Sequence, residues 1–231
     1  MNKMLKTEAG LSGLKVMSGG VEIKSDFVFK PRRKKAIRKT LGVGVNDAPY
    51  RVGYKRDDGK MVRCKLFARW SMMMARAYSL KFHNYRPTYV GCSVDKRWHS
   101  FMKFREWLEQ QNWVGKELDK DLIQFGNKIY SPETCVLIPQ SVNNLLTDSA
   151  KSRGDYPIGV SLHRNGKFIA QITENSKLTY LGCFNTIEAA SKAYKEAKIK
   201  IVDKLIFELA DEDPRLIPAL RRIVFDMKAD L

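Results

Sequence analysis

The stretch Glu117–Leu146, ELDKDLIQFGNKIYSPETCVLIPQSVNNLL, constrains the fold more than any other part of the chain. Leu118 to Leu122 alternates apolar and polar residues, the pattern of a half-buried strand. Gln124 to Pro132 carries Gly126, Asn127 and Pro132 and reads as a loop. Cys135 to Ile138 is short and apolar, as a buried strand is. Pro139 then stands near the start of a helix, where its missing N–H costs least. That helix holds Val142, Leu145 and Leu146 on one side, with Asn143 and Asn144 between them. The order strand, loop, strand, helix thus brings two carboxylates, Asp119 and Asp121, near a helix bearing two asparagines. Oxygen ligands of this kind suit a hard divalent cation. Thirty residues cannot bury enough surface to fold alone, so flanking elements must supply a platform.

The chain has 231 residues, room for one large domain or two small ones, and 44% of them are hydrophobic, enough for real cores. Its formal net charge of +17 points to a polyanion as partner. Nucleic acid is the first choice and an anionic membrane surface the second. No apolar run approaches transmembrane length, and the first residues lack the apolar core of a signal peptide. The four cysteines, Cys64, Cys92, Cys135 and Cys183, form no CxxC pair. Reduced thiols in a cytoplasmic protein are the default expectation. The spacing gives little support to a structural zinc site built from Cys64, Cys92 and Cys135.

Residues 1–41 read as a basic arm, flexible at its start. Residues 1–40 hold eleven Lys or Arg against three acids. The densest part, with Arg32, Arg33, Lys34 and Lys35, suits contacts to phosphate that carry no sequence information. Residues 50–54 and 61–64 flank Asp57-Asp58-Gly59, a good hairpin turn. A helix is predicted over Leu66–Leu80, with Phe67, Trp70, Met73, Met74, Ala77 and Tyr78 as its core face. Residues 81–91 read as a loop. A second helix is predicted over Val94–Gln111 through Trp98, Phe101, Phe104, Trp107 and Leu108.

Beyond a polar linker near residues 149–155 the pattern changes. Pro157–His163 alternates, Asn165-Gly166 is a strong hairpin signal, and Lys167–Glu174 and Leu178–Phe184 follow as strands. Thr186 is placed to cap a long helix, Asp213-Pro214 breaks it, and Leu216–Met227 forms a last short helix.

The stretches Tyr156–Val160, Gly166–Ile172 and Tyr180–Ala190, with Ala193-Tyr194, resemble the plant ethylene-response-factor (AP-two) DNA-binding domain over about residues 156–200. That likeness implies a three-stranded sheet laid in the major groove with the helix behind it, a geometry the groove admits. It implies that Ser161, His163, Lys167, Phe168, Gln171 and Tyr180 are the residues that read the groove. The family's pattern is richer in Arg and Trp at these positions. From the residues alone, Arg164, Lys167 and Lys177 cluster at hairpin tips and could meet phosphates.

The opening stretch resembles the HNH, or ββα-metal, nuclease core. Further shared stretches are Gly44–Tyr50, Trp70–Met73, Arg76–Tyr78, Pro87–Tyr89, Gly126–Lys128 and Tyr130–Cys135. With these the chain is similar to bacteriophage HNH homing endonucleases that carry an AP-two-like domain at the C-terminus. The resemblance implies metal ligation by Asp119 and Asn143, and a loop-tying role for Asn127. It implies a general base at position 120, where HNH nucleases carry histidine and this chain carries Lys120. A lysine beside Asp119 and Asp121 stays protonated and would stabilise charge at the phosphate. Asp121 or a metal-bound water would then act as base. The histidines are His83, His99 and His163, all outside the motif.

The expected architecture is α+β. An HNH-like ββα-metal domain would span 42–150, and a three-stranded antiparallel sheet packed on a long helix would span 155–231. The expected function is Mg2+- or Mn2+-dependent nicking or cleavage of double-stranded DNA by a phage protein in the host cytoplasm. The alternatives are a catalytically inactive DNA-binding protein on the same fold, and a basic RNA- or ribosome-associated protein.

Overall fold

The computed structural model describes residues 11, 14–32, 39–147 and 155–231. It is an α+β structure of small sheets and helices. Its contacts divide it into two compact units, each described separately below. One comprises residues up to Val114 plus Gly126–Leu137, and the other Gly115–Phe125 plus Ile138–Leu231. This division differs from the expected boundary near residue 150. The first strand and the helix of the opening motif group with the C-terminal sheet, not with the residues before them.

The first unit begins with a hairpin, β1 (Val16–Ser18) against β2 (Val21–Ile23), turning through Gly19 and Gly20 at positive φ. The sequence suggests a flexible arm here. Instead Gly19 N–H donates to Gln111 O, the Trp113 indole N–H donates to Met17 O at 2.7 Å, and Ser18 is buried. The short pairs β3 (Lys39–Thr40) with β4 (Gly44–Val45), and β5 (Gly53–Lys55) with β6 (Met61–Arg63), follow. The second pair is the hairpin predicted from Asp57-Asp58-Gly59.

Helix α1 (Lys65–Tyr78) buries Leu66, Trp70, Met73, Met74 and Ala77, the predicted stripe at helical spacing. Gly44 lies so close beneath it that a Cβ would fall 2.8 Å from the Trp70 and Met74 side chains. The expected loop at 81–91 is instead helical: α2 (Leu80–Tyr85), then a 3-10 turn at Pro87–Tyr89. The Ser79 hydroxyl starts α2 by accepting the Phe82 N–H.

The predicted helix 94–111 is broken into three pieces. Ser93–Val94 is β7, paired in parallel with β9 (Ile129–Tyr130) inside the predicted 124–132 loop. Lys96–His99 is a 3-10 turn, and α3 spans Phe101–Gln110. The break arises because Asp95 and Ser100 each cap a new turn, accepting the N–H of Arg97 and Lys103. Asp47 adds to the second cap, accepting the Ser100 hydroxyl at 2.6 Å and the Met102 N–H at 2.9 Å.

Arg105 on α3 is the polar centre of this unit. Its side chain is only 4% exposed and donates to Glu109, to the Tyr50 hydroxyl at 2.6 Å and to Lys15 O at 2.6 Å. Its guanidinium also lies over the Phe29 and Tyr50 rings.

The second unit holds β8 (Lys116–Asp119), the last two residues of its partner strand β10 (Val136–Pro139), and α4 (Gln140–Leu146), which follows with Pro139 at its start. Then come β11 (Val160–Leu162), β12 (Phe168–Glu174) and β13 (Lys177–Phe184), an antiparallel sheet in that order. Helix α5 (Ile187–Glu208) packs on all three strands, with Thr186 as N-cap accepting the Ala189 N–H. Helix α6 (Leu216–Ala229) packs against α5. Val160, Ala170 and Ala190 form the centre of the sheet–helix core, with Tyr156, Phe168, Leu181, Phe184 and Ala193 around it. Small residues at 170 and 190 let sheet and helix approach closely. Gly159, at φ +75°, is required by this approach: a Cβ there would overlap the Tyr194 ring and come within 2.6 Å of Gln171 O.

Arg105→Ala strips a largely buried Glu109 of its partner and should cost about 3–5 kcal/mol in urea denaturation. Gly159→Ala should cost about 2–4 kcal/mol from left-handed strain plus overpacking. A variant within about 0.5 kcal/mol of wild type would refute the corresponding account.

Candidate functional site

β8 alternates in burial, and the alternation continues two residues past its end. Lys116, Leu118 and Lys120 are buried, while Glu117, Asp119 and Asp121 face the other way and are half-buried. The sequence pattern predicts a strand to Leu122, but the strand ends at Asp119. Asp119 Oδ1 accepts the N–H of Asp121 at 2.9 Å and of Leu122 at 2.7 Å. A side chain that binds the backbone two and three residues ahead folds the chain into a turn.

This turn opens onto a cleft of about 510 Å3. Asp119 and Asp121 line it from the turn, and Ile138, Asn143, Leu146 and Thr147 from β10, α4 and the residue after it. Helices α5 and α6 supply Lys198, Arg222 and Asp226. Phe125, 85% exposed, stands at the rim with the Arg222 guanidinium 6.0 Å from its ring centre. Arg222 also donates to Leu122 O at 3.0 Å. The predicted Asp119–Asn143 pair therefore shares one cleft.

The Asp119 carboxyl is held above the usual aspartate range. Burial is the main cause, and the Asp121 charge acts in the same direction. Its two backbone hydrogen bonds and the Lys120 charge oppose the shift without cancelling it. A carboxylate that has lost water and faces another carboxylate has a high affinity for any cation.

Lys120 does not have the placement expected of a catalytic residue. Its side chain is 8% exposed, bonds Asp121 Oδ2 at 3.0 Å and is absent from the cleft lining. The cause is strand alternation, which turns residues 119 and 120 to opposite faces.

Asn127 belongs to the other unit. Its carboxamide donates to Ile129 O at 2.7 Å and accepts the Ile129 N–H at 3.2 Å, so it ties its own loop as expected. His99 bonds Val94 O at 3.0 Å and approaches the Tyr78 hydroxyl, a structural setting. His83 bonds Arg76 O at 2.9 Å.

On the sheet, register and alternation put Ser161, Ile169 and Cys183 across one another on the face away from α5, with Gln171 opposite Tyr180. Ser161 and Tyr180 are exposed, and so are His163, Arg164 and Lys167 at one turn and Lys177 at the next. These six and Gln171 thus lie on the open face or at the tips, as the sequence implies. Phe168 is the correction: its ring packs into the sheet–helix core, 5.8 Å from the Tyr156 ring, because it shares the face of Ala170. Arg32 is also redirected, donating to Asn46 O at 2.5 Å within the first unit. Arg33, Lys34 and Lys35 lie outside the described residues.

The motif-based reading does not reach Lys198, Arg222 and Asp226. Lys198 carries a signal: Ala190, Tyr194, Lys198, Val202 and Ile206 recur every fourth residue, and only the lysine is charged. All five are buried. Arg222 and Asp226 carry none.

Among the described residues no three His, Cys, Asp or Glu side chains cluster as a protein-only metal site. Mg2+ does not require one, since it commonly takes one or two carboxylates, waters and substrate phosphate. Asp119, Asp121 and Asn143 fit that requirement through hard oxygen donors. No protein-family model, curated protein or solved structure matches the chain. No helix among the described residues is long and apolar enough to cross a membrane.

A raised Asp119 pKa means the folded protein holds this proton more tightly than the unfolded chain does. The associated stability is present below the ordinary aspartate pKa and is lost as pH rises through the raised value. At neutral pH the charged carboxylate therefore costs stability. Asp119→Asn keeps the two turn-forming acceptor bonds and removes the charge. In chelator it should raise the melting temperature at neutral pH, and the gain should vanish at acid pH. An equal effect at both pH values would show that charge is not the cause.

Proposed function

We propose that the protein is a metal-dependent DNA endonuclease of the HNH type. It would nick or cleave double-stranded DNA held by its C-terminal sheet. The observation that carries this reading is the desolvated Asp119, beside Asp121 and sharing a cleft with Asn143, in the same compact unit as an exposed, basic-tipped sheet. The strand, strand, helix order of β8, β10 and α4 supports it, as does the resemblance of residues 117–146 to ββα-metal nucleases. The net charge of +17 favours a polyanionic substrate.

Asp119 and Asn143 would hold a Mg2+ or Mn2+ ion. When bound, such an ion polarises the scissile phosphate and offsets charge on the leaving oxygen. Asp121, with Lys120 bonded to one oxygen, presents a carboxylate to the cleft and would be the group that takes a proton from water. The exposed Arg164, Lys167 and Lys177 would meet phosphates, while Ser161, Gln171 and Tyr180 would face base edges. A second reading, a DNA-binding protein that does not cut, is favoured by one specific feature. By the resemblance the base position holds Lys120, whose side chain is buried and paired with Asp121.

Purified protein with supercoiled plasmid and Mg2+ or Mn2+ should produce nicked circles, and Asp119→Ala should reduce the rate at least about 100-fold. Equal yields from both proteins, or none from wild type on any DNA including a phage genome, would leave only the non-cutting reading. Lys167→Ala should lower duplex affinity and reduce the salt slope by about one. Tyr180→Ala should weaken binding about 10-fold. Unchanged affinity in both would remove the sheet as the DNA-binding surface.

A further inference from the structure

The cleft that contains Asp119 is chemically divided. One wall carries Asp119, Asp121 and Asn143, and the helical wall carries Lys198, Arg222 and Asp226. A phosphodiester approaching three carboxylates meets repulsion, and a single divalent ion would not balance all of it. The two cations on the helices supply what is missing. We infer that Lys198 and Arg222 hold the scissile phosphate against the Asp119–Asn143 wall, so that the cutting centre is completed by the two C-terminal helices. This inference rests on the endonuclease reading of the same cleft.

Lys198 occupies the middle of the buried every-fourth-residue stripe of α5 and is only 8% exposed. An ammonium with little water around it attracts an anion more strongly than an exposed one does. Its nitrogen lies 6.0 Å from the Tyr194 ring centre, within range of a cation–π contact, and the side chain lines the cleft. Arg222 is held from two sides, by its bond to Leu122 O and by the Phe125 ring. That bond uses one of its five N–H donors. A guanidinium so fixed is pre-organised for phosphate oxygens, which its planar fork matches better than an ammonium does. The same bond ties α6 to the turn that Asp119 forms, so the cation and the carboxylates are set by one local structure. Asp226, one helical turn beyond Arg222, keeps the helical wall from being wholly cationic.

The test uses Arg222→Gln, Arg222→Lys and Lys198→Gln in the full-length protein. Single-turnover nicking of supercoiled plasmid is measured in Mn2+. Binding of a fluorescein-labelled random-sequence duplex is measured against salt in Ca2+, and melting temperature is recorded for each variant. Arg222→Gln should slow nicking about 100-fold and lower the salt slope by about one, with a single cooperative melting transition that shows the variant is folded. Arg222→Lys should recover part of both. Lys198→Gln should behave like Arg222→Gln, and if it does not fold, the two Arg222 variants decide. A wild-type nicking rate and an unchanged slope in Arg222→Gln would overturn the inference while leaving the endonuclease reading intact. If wild-type protein nicks nothing, the endonuclease reading falls. The slope then decides alone: a slope lowered by about one supports phosphate contact by Arg222, and an unchanged slope overturns it.

Discussion

The site depends on two hydrogen bonds made by one oxygen. By accepting the Asp121 and Leu122 N–H groups, Asp119 ends β8 and turns the chain. The turn leaves Lys120 buried behind the strand and brings Asp121 onto the same side as Asp119. It also presents Leu122 O, which receives Arg222 from α6. A single side-chain acceptor thus sets the positions of two carboxylates and one cation. The cost falls on its charged form, because the carboxylate that shapes the turn has lost water and sits beside another negative charge, which raises its pKa. A site that destabilises its own charge at neutral pH is poised to gain from a cation.

The other unit is organised around a different buried charge. Arg105 joins α3 to Tyr50, to Glu109 and to the carbonyl of Lys15 before the first hairpin. Burial pushes the Tyr50 hydroxyl pKa well above its usual range, so it stays protonated and polar under the guanidinium. Several residues of this unit have evident packing roles. Gly44 makes room for Trp70 and Met74, Asp47 caps α3, and Tyr50 meets Arg105. Arg97, held between Asp95 and Glu133, keeps both carboxyls depressed to about 2. These positions therefore have structural roles within the first unit.

On the endonuclease reading, chemistry without a histidine base places unusual demands on the remaining groups. Asp121 is about half exposed and tied through one oxygen to Lys120. That pairing occupies one carboxylate oxygen, and a carboxylate is ordinarily a weaker base than an imidazole near neutral pH. Efficient cleavage would then lean on charge stabilisation at the phosphate, the part that Lys198 and Arg222 are placed to supply. The distribution of function across β8, α4, α5 and α6 would also make the sheet–helix module part of the cutting centre.

Much of the architecture is legible in the sequence because it rests on local patterns. The α1 stripe, the Asp57-Asp58-Gly59 hairpin, the Thr186 cap and the three-stranded sheet all follow from periodicity or from turn and capping chemistry within a few residues. The differences arise where two local signals compete. Trp98 to Leu108 has helical spacing, but Asp95 and Ser100 capture nearby N–H groups and break the helix. The alternation of residues 118–122 is visible as apolar and polar side chains in turn, yet its consequence for Lys120 emerges only from the observed strand end. Residue order and type alone thus establish the α+β class, the positive charge, and the carboxylates and asparagine of the candidate site, with Lys120 between the two carboxylates. Which side chains face the cleft is settled by long-range packing. Lys198 and Arg222 lie more than 70 residues beyond Asp119, and no pattern of short range can report that two late helices supply the opposite wall.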